Sequence, residues 1–227
     1  MAVPLISRTQ WGARQPKKDW IFTTWAKRKV FMVHYSAGPT TQTVRDIQNF
    51  HMDVRNWSDI GYNFVVDHRG NAYFARGWLA IGAHAANHNT EGVGVCFIGR
   101  AGDLTDHAKR TINGLYADAV AHKGGPLTWQ GHRDANPTEC PGDELYAWIR
   151  AGHPDPPIPA RGEDEMPYLT IRHRDKAPVY ALFASGRVRH IGPAEFDWLQ
   201  KAKVPHVLTE YEEETNLLAR LAAVGMP

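Results

Sequence analysis

The run KVFMVHYS, residues 29–36, is apolar and β-rich without alternation, as a strand buried on both faces should be, and the Ser-Ala-Gly-Pro that follows ends it. The period then changes. In TQTVRDIQNFHMDVR, residues 41–55, Val44, Ile47, His51 and Val54 recur at three- and four-residue spacing, with Phe50 beside Ile47, which predicts a helix with one face turned inward. GYNFVVDHRGNAYFAR, residues 61–76, predicts a hairpin around the turn-prone tetrad His-Arg-Gly-Asn. GVGVCFIG, residues 92–99, predicts another central strand. TDHAKRTINGLYADAVAHKGG, residues 105–125, offers Thr105 as N-cap, repeats Ala108, Ile112, Leu115 and Ala119, and stops at paired glycines. LTWQGHRD predicts a short strand that delivers His132 at its end, and PGDELYAWIRAG a closing helix with Leu145, Trp148 and Ile149 inward. Strands interleaved with helices predict an α/β fold class, a central β-sheet covered by helices.

After WIRAG the composition shifts to HPDPPIPARGEDE, rich in proline and charge, which cannot continue a helix and reads as a stiff linker. The expected domains are therefore 1–151, a linker at 152–164 and a small α+β module at 165–227. In the module YLTIRH, VYALFAS and RVRHIG read as strands, and PAEFDWLQKA and TEYEEETNLLARLAAV as helices. About sixty residues with so little core are marginal alone, so the module is expected to lean on the first domain or on a partner.

At 227 residues, 43% hydrophobic and 22% charged, the chain has ordinary globular composition. No stretch is apolar enough to span a bilayer, so membrane insertion is not expected. A formal net charge of +2 is too mild to argue for nucleic acid, although weak attraction to an anionic polymer stays compatible with it. MAVPLISRTQWGARQPKKDW lacks the pattern of a secretory signal, so delivery by another route is expected for any substrate outside the cytoplasm. With only Cys96 and Cys140, a disulfide-stapled scaffold is not expected. Cys96, inside GVGVCFIG, reads as a small buried hydrophobe, whereas Cys140 sits in a polar, turn-rich loop.

Three residues carry the candidate chemistry. His34 ends a predicted strand, His132 ends another, and Cys140 follows after a loop long enough to fold back. Two imidazoles and a thiolate suit a tetrahedral zinc ion whose fourth position stays open for water. Against this stand ordinary hydrogen-bonded histidines among the twelve in the chain, a gap between His132 and Cys140 that matches no compact zinc finger, and a cysteine nucleophile with His132 as base.

ISRTQWGAR, VHYSAG, IQNFHMDVRNWSDIGYNFVVD, ARGW, GAHAANHN, GVGVCFIG and GHRDANPTECPG occur in one order along residues 5–150. In this the chain resembles the zinc-dependent N-acetylmuramoyl-L-alanine amidases, the phage lysozyme-type amidases and their relatives the peptidoglycan recognition proteins. The resemblance implies a mixed sheet flanked by helices, one zinc ion on a pocket floor and a groove for the peptidoglycan stem peptide. It implies zinc ligands at His34, His132 and Cys140 and a catalytic tyrosine at Tyr62. The second catalytic position, lysine in phage lysozyme-type members and threonine in catalytic recognition proteins, is Thr138 here, so a fixed positive charge is missing. Groove-lining positions fall on His84 and Asn89, and on Arg76 and Trp78 of ARGW, where the usual glycine is Ala75.

The implied reaction is hydrolysis of the amide joining N-acetylmuramic acid to L-alanine, with Tyr62 orienting water or the departing proton and Thr138 donating to the developing oxyanion. Competing readings are a non-catalytic peptidoglycan-binding module, a bacterial wall-recycling amidase, and the polymerase regulation known for some phage lysozyme-type members. The missing extra disulfide and the appended module point to a phage endolysin, a monomer held in the host cytoplasm until a holin opens the membrane. Tyr168, Tyr180, Phe183, Phe196 and Trp198, with Arg172, Arg174, Arg187 and Arg189, are candidate wall-binding residues of the tail, unless the aromatics form its core; the acidic run Glu212, Glu213, Glu214 argues against a purely basic surface.

Overall fold

The computed structural model describes residues 2–156 and, beyond them, the backbone of four strands at 169–173, 179–182, 188–191 and 206–209. In chain order the first part contains β1 (Leu5–Ile6), β2 (Val30–Tyr35), α1 (Val44–Asn49), β3 (Phe64–Val66) and β4 (Ala72–Phe74). It continues with β5 (Gly92–Phe97), α2 (Asp106–Lys123), β6 (Thr128–Gly131) and α3 (Asp143–Arg150). These strands form one six-stranded sheet in the order β1-β4-β3-β5-β2-β6. β3, β5, β2 and β6 run parallel, while β4 pairs antiparallel with β3 and carries β1 beside it, so the sheet is mixed.

β2 lies between β5 and β6, and its first five residues are buried, which accounts for its unbroken apolar run. Alternation along the strands then divides the core in two. Phe31, Val33, Val93, Val95, Phe97, Phe64 and Val66 face α2 and α3, where they meet Ile112, Leu115, Leu145 and Trp148. On the opposite face Val65 and Cys96 meet Val44 and Ile47 of α1 together with Ile60 and Ala75. His34 is the register partner of Cys96, so it emerges on the α1 face.

Local chemistry sets the helix ends as expected. The Thr105 hydroxyl accepts from the Ala108 amide at the start of α2, and Gly124 closes the helix with φ of 74°. Thr43 and Asp46 form a reciprocal cap on α1. The expected inward face of residues 41–55 is only half correct. Val44, Ile47 and His51 are buried, but α1 passes into a π turn at Phe50–Val54. The wider turn rotates the following residues, so Met52 faces inward while Phe50 and Val54 are exposed.

The chain divides into two compact units, 1–156 and 157–227. The first residues of the expected linker belong to unit 1: the His153 ring stacks on Trp129 at 4.0 Å, and the Trp148 indole donates to the Pro154 carbonyl at 3.0 Å. In the second unit β7 (Leu169–His173), β8 (Val179–Leu182) and β9 (Val188–Ile191) form an antiparallel meander. A fourth strand, β10 (His206–Thr209), pairs parallel with β7 and was not expected from the sequence. The expected helices at 193–202 and 209–224 lie outside the described residues, except for Thr209, the last residue of β10. So do the candidate wall-binding side chains and the acidic run. No helix among the described residues is long and apolar enough to cross a membrane.

Candidate metal centre and groove

The carboxyl ends of parallel strands are where open sheets present functional groups, and β2 and β6 do so here. β2 delivers His34 on the α1 face. Val33 pairs with Gly131 at the end of β6, so His132, the next residue, lies beside His34 with ring centroids 4.6 Å apart. The loop after His132 folds back because the Arg133 amide donates to the Cys140 carbonyl at 2.9 Å. The Arg133 guanidinium bonds Asp143 at 2.7 Å and the Glu139 carbonyl, bracing both sides of the cysteine. Cys140 Sγ ends 3.7 Å from His34 Nδ1. One donor atom from each of His34, His132 and Cys140 lies within 4.8 Å of the others.

That donor set fits a zinc ion. Nitrogen ligands at about 2.0 Å and sulfur at about 2.3 Å leave tetrahedral donors roughly 3.3–3.6 Å apart, so closure requires shifts of about an ångström. The protonation states fit as well. Burial, then the neighbouring His84 and His132, hold the His34 imidazole well below its ordinary value, and burial lowers His132, so both rings are neutral, the form in which an imidazole can bind a metal. Burial pushes the Cys140 thiol up to about 11; a divalent cation must displace its proton.

Tyr62 stands over the centre, its ring 5.3 Å from that of His34 and 5.5 Å from that of His51. Burial and the Cys96 and Cys140 sulfurs raise its phenol well above the ordinary value, so at neutral pH it is a hydroxyl that both donates and accepts. Its neighbour Asn63 fixes it in place. Asn63 donates to the Gly77 and Ala80 carbonyls at 2.6 and 2.9 Å and accepts from the Gly94 amide at 2.9 Å. Cys96 is fully buried with its thiol on the Phe97 carbonyl, the small buried hydrophobe that the sequence indicates. Thr138 is exposed, and its hydroxyl oxygen accepts from the Cys140 amide at 3.2 Å, leaving the hydroxyl proton available.

Three cavities meet around these residues. One of about 350 Å³ is lined by Gln42, Phe50, His51, Arg55, Tyr62 and His132 among others. A second, about 490 Å³, runs past Trp57, His84, Asn89, Asn136 and Thr138 and shares His132 with the first. A third, about 630 Å³, lies beyond Thr138 against Tyr35, Arg100 and Arg133. His132 and Thr138 are thus the points where adjoining depressions join into a groove.

The remaining groove expectations divide. Asn89 borders the groove, but its side-chain oxygen Oδ1 accepts from the His84 and Ala85 amides at 2.7 and 3.1 Å, so it also shapes the loop. His84 lines two of the cavities, yet its ring is buried against His34. Arg76 and Trp78 line none of these three cavities. The Arg76 guanidinium is buried and donates to the Ile60 and Ile81 carbonyls, both at 2.6 Å, and the Trp78 ring packs 4.2 Å from Phe64 in the α2-side core.

Two further residues hold the scaffold together without any local sequence signal. Arg28, in a Lys-Arg-Lys run that resembles solvated charge, is fully buried and donates to the carbonyls of Trp78, Ala80, Asn89, Thr90 and Gly92. Burial lowers its pKa to about 10, so it stays charged at neutral pH and ties residues 78–92 together. Buried Asp59 accepts from Trp20, Gln48 and the Ile60 amide and pairs with Arg8 at 3.1 Å, anchoring the N-terminal segment.

Comparison with known proteins agrees with this architecture. Peptidoglycan-recognition protein SC2 of Drosophila melanogaster is 35% identical over 162 residues, which cover 66% of this chain and 86% of the relative. Human N-acetylmuramoyl-L-alanine amidase is 38% identical over 112 residues, 47% of this chain and 19% of that protein. Among solved structures, peptidoglycan recognition protein-LE in complex with tracheal cytotoxin, a monomeric diaminopimelic acid-type peptidoglycan, aligns with a TM-score of 0.59 at 31% identity, covering 65% of this chain and 92% of that one. Residues 24–143 match the family described as N-acetylmuramoyl-L-alanine amidase. With more than half of its length in that match, the chain belongs to the N-acetylmuramoyl-L-alanine amidase family, alongside the peptidoglycan recognition proteins.

Proposed function

We propose that the chain is a zinc-dependent hydrolase that cuts the amide between N-acetylmuramic acid and L-alanine in bacterial peptidoglycan. The observation that carries this reading is the convergence of His34, His132 and Cys140 within 4.8 Å on the groove floor, with the Tyr62 ring beside them. A relative that binds a peptidoglycan fragment in the same fold supports the substrate class.

His34, His132 and Cys140 would hold one zinc ion. When bound, it supplies Lewis acidity to the scissile carbonyl and lowers the pKa of water. The chain's own groups do the rest. The Tyr62 hydroxyl, neutral at working pH, accepts from the attacking water and orients it. Thr138, anchored through its oxygen by the Cys140 amide, donates its remaining proton to the oxygen that gains charge. The groove between His51 and Asn89 holds the stem peptide, and Asn89 offers its amide nitrogen to a peptide carbonyl.

We assign the setting of a phage endolysin, released to the wall through a holin-type pore, on the strength of the appended second unit. The matched relatives are insect and mammalian proteins and lend that setting nothing. A wall-recycling amidase is the competing context. Wall binding by residues 157–227 is the role proposed for the second unit.

Chelation tests the chemistry. Phenanthroline should abolish release of peptide from purified peptidoglycan, and added zinc should restore it. Activity that survives complete metal removal would instead assign Cys140 as nucleophile. Sedimentation with walls without any cleavage, in zinc-replete protein, would assign a binding module.

A further inference from the structure

We infer that His84 and Asn136 are positioning residues that fix both imidazoles of the proposed metal centre as Nε2–H tautomers, so that each presents Nδ1 to the ion. The inference rests on the metal reading of His34, His132 and Cys140 given above.

His34 Nε2 lies 3.0 Å from His84 Nδ1, so one of the two nitrogens carries the shared proton. The other nitrogen of His84 decides which. His84 Nε2 is 3.4 Å from the Gly92 carbonyl oxygen, which can only accept, so the His84 proton sits on Nε2 and its Nδ1 is a lone pair. His34 must then donate from Nε2. Its Nδ1 is left unprotonated, and this is the atom 3.7 Å from Cys140 Sγ.

A different device gives His132 the same state. His132 Nε2 is 3.2 Å from Asn136 Oδ1, and Asn136 Nδ2 donates to the Ala86 carbonyl at 3.3 Å. Reversing the amide would set its oxygen against the Ala86 oxygen, so the orientation is fixed and Nε2 of His132 is the donor.

Both anchors end on one segment, residues 82–92, which contains His84 and supplies the Ala86 carbonyl. Arg28 and the Asn89 carboxamide tie that segment down. The His84 ring sits in a slot that side chains would fill: a Cβ at Gly82 or at Gly94 would come within 2.4 Å of its Cδ2. A ring that cannot turn, bonded at both nitrogens, fixes its neighbour before any ion arrives. Such partners typically raise metal affinity about 10–100-fold.

The direct test is a long-range proton–nitrogen correlation spectrum of the metal-free full chain labelled with ¹⁵N-histidine. His34 and His132 should each carry the proton on Nε2. A proton on Nδ1 of either would overturn the inference. Zinc affinity by competition with a chromophoric chelator adds a second reading. His84→Leu and Asn136→Leu should weaken zinc about 10–100-fold, whereas His84→Asn and Asn136→Asp, which keep an acceptor, should recover most of it. Leucine variants that bind zinc like the wild type would also overturn it. A wild-type chain that takes up no zinc is a separate failure, that of the metal reading itself, and the same titration reveals it.

Discussion

In the proposed reaction Tyr62 and Cys140 have separable roles, and substitution should part them. Tyr62→Phe removes only the hydroxyl, so turnover on peptidoglycan should fall by about 100-fold or more while zinc affinity stays unchanged. Cys140→Ala removes a proposed ligand, so both zinc binding and turnover should be lost while the chain still sediments with walls. Equal loss of zinc in both variants, measured by elemental analysis, would contradict the division of roles. The convergence of His34, His132 and Cys140 is legible in the sequence because the residue types, the two strand ends and the turn-rich loop that returns the cysteine are local properties. His84, Asn136 and Arg28 were not legible in these roles, because each acts through a partner 4 to 64 residues away and looks like loop or surface from its neighbours alone. Arg76 and Trp78 went astray for the opposite reason: a motif places them near the groove, but only packing decides which way they turn.

Elements that obey one period were legible, and those that change period or depend on a distant partner were not. β2, β5 and α2 follow their patterns, and the burial of Ala108, Ile112, Leu115 and Ala119 is the face that the sequence marks. The π turn at Phe50–Val54 adds residues per turn without any sequence punctuation, so the three- and four-residue spacing points Val54 inward where the structure exposes it. β10 is four residues long and is defined by its pairing with β7. On β5 the spacing of Gly92, Gly94 and Cys96 puts all three on the face that carries His34, where Gly94 makes room for the His84 ring. Gly94→Ala should therefore destabilise the fold by about 1–3 kcal/mol through overpacking. Gly125→Ala, with only the tip of the Lys123 side chain near its Cβ, should stay within about 0.5 kcal/mol. Urea unfolding of the two variants checks the contrast, and equal stabilities would remove the packing role given to Gly94.

For the molecule as a whole, buried imidazoles tie stability to pH. Burial, then the nearby Arg76 and Arg55 charges, lowers His51 to about 4, and burial lowers His84 to about 3. The unfolded chain takes up these protons near pH 6.5 and the folded one only at the lowered values, so stability is full above about pH 6.5 and is lost as the pH falls towards 4. Between pH 7 and pH 5 each of the two should cost about 2 kcal/mol in the metal-free protein, and a flat urea midpoint across that range would contradict their burial as neutral rings. Above this scale stands the central claim, that the groove cuts one particular amide. Mass spectrometry of digested peptidoglycan tests it most directly. The account predicts sugar chains freed from intact peptides that begin with L-alanine, in zinc-replete protein and not after Cys140→Ala. Peptides shortened at another bond, or glycan and peptide still joined after exhaustive digestion, would contradict it.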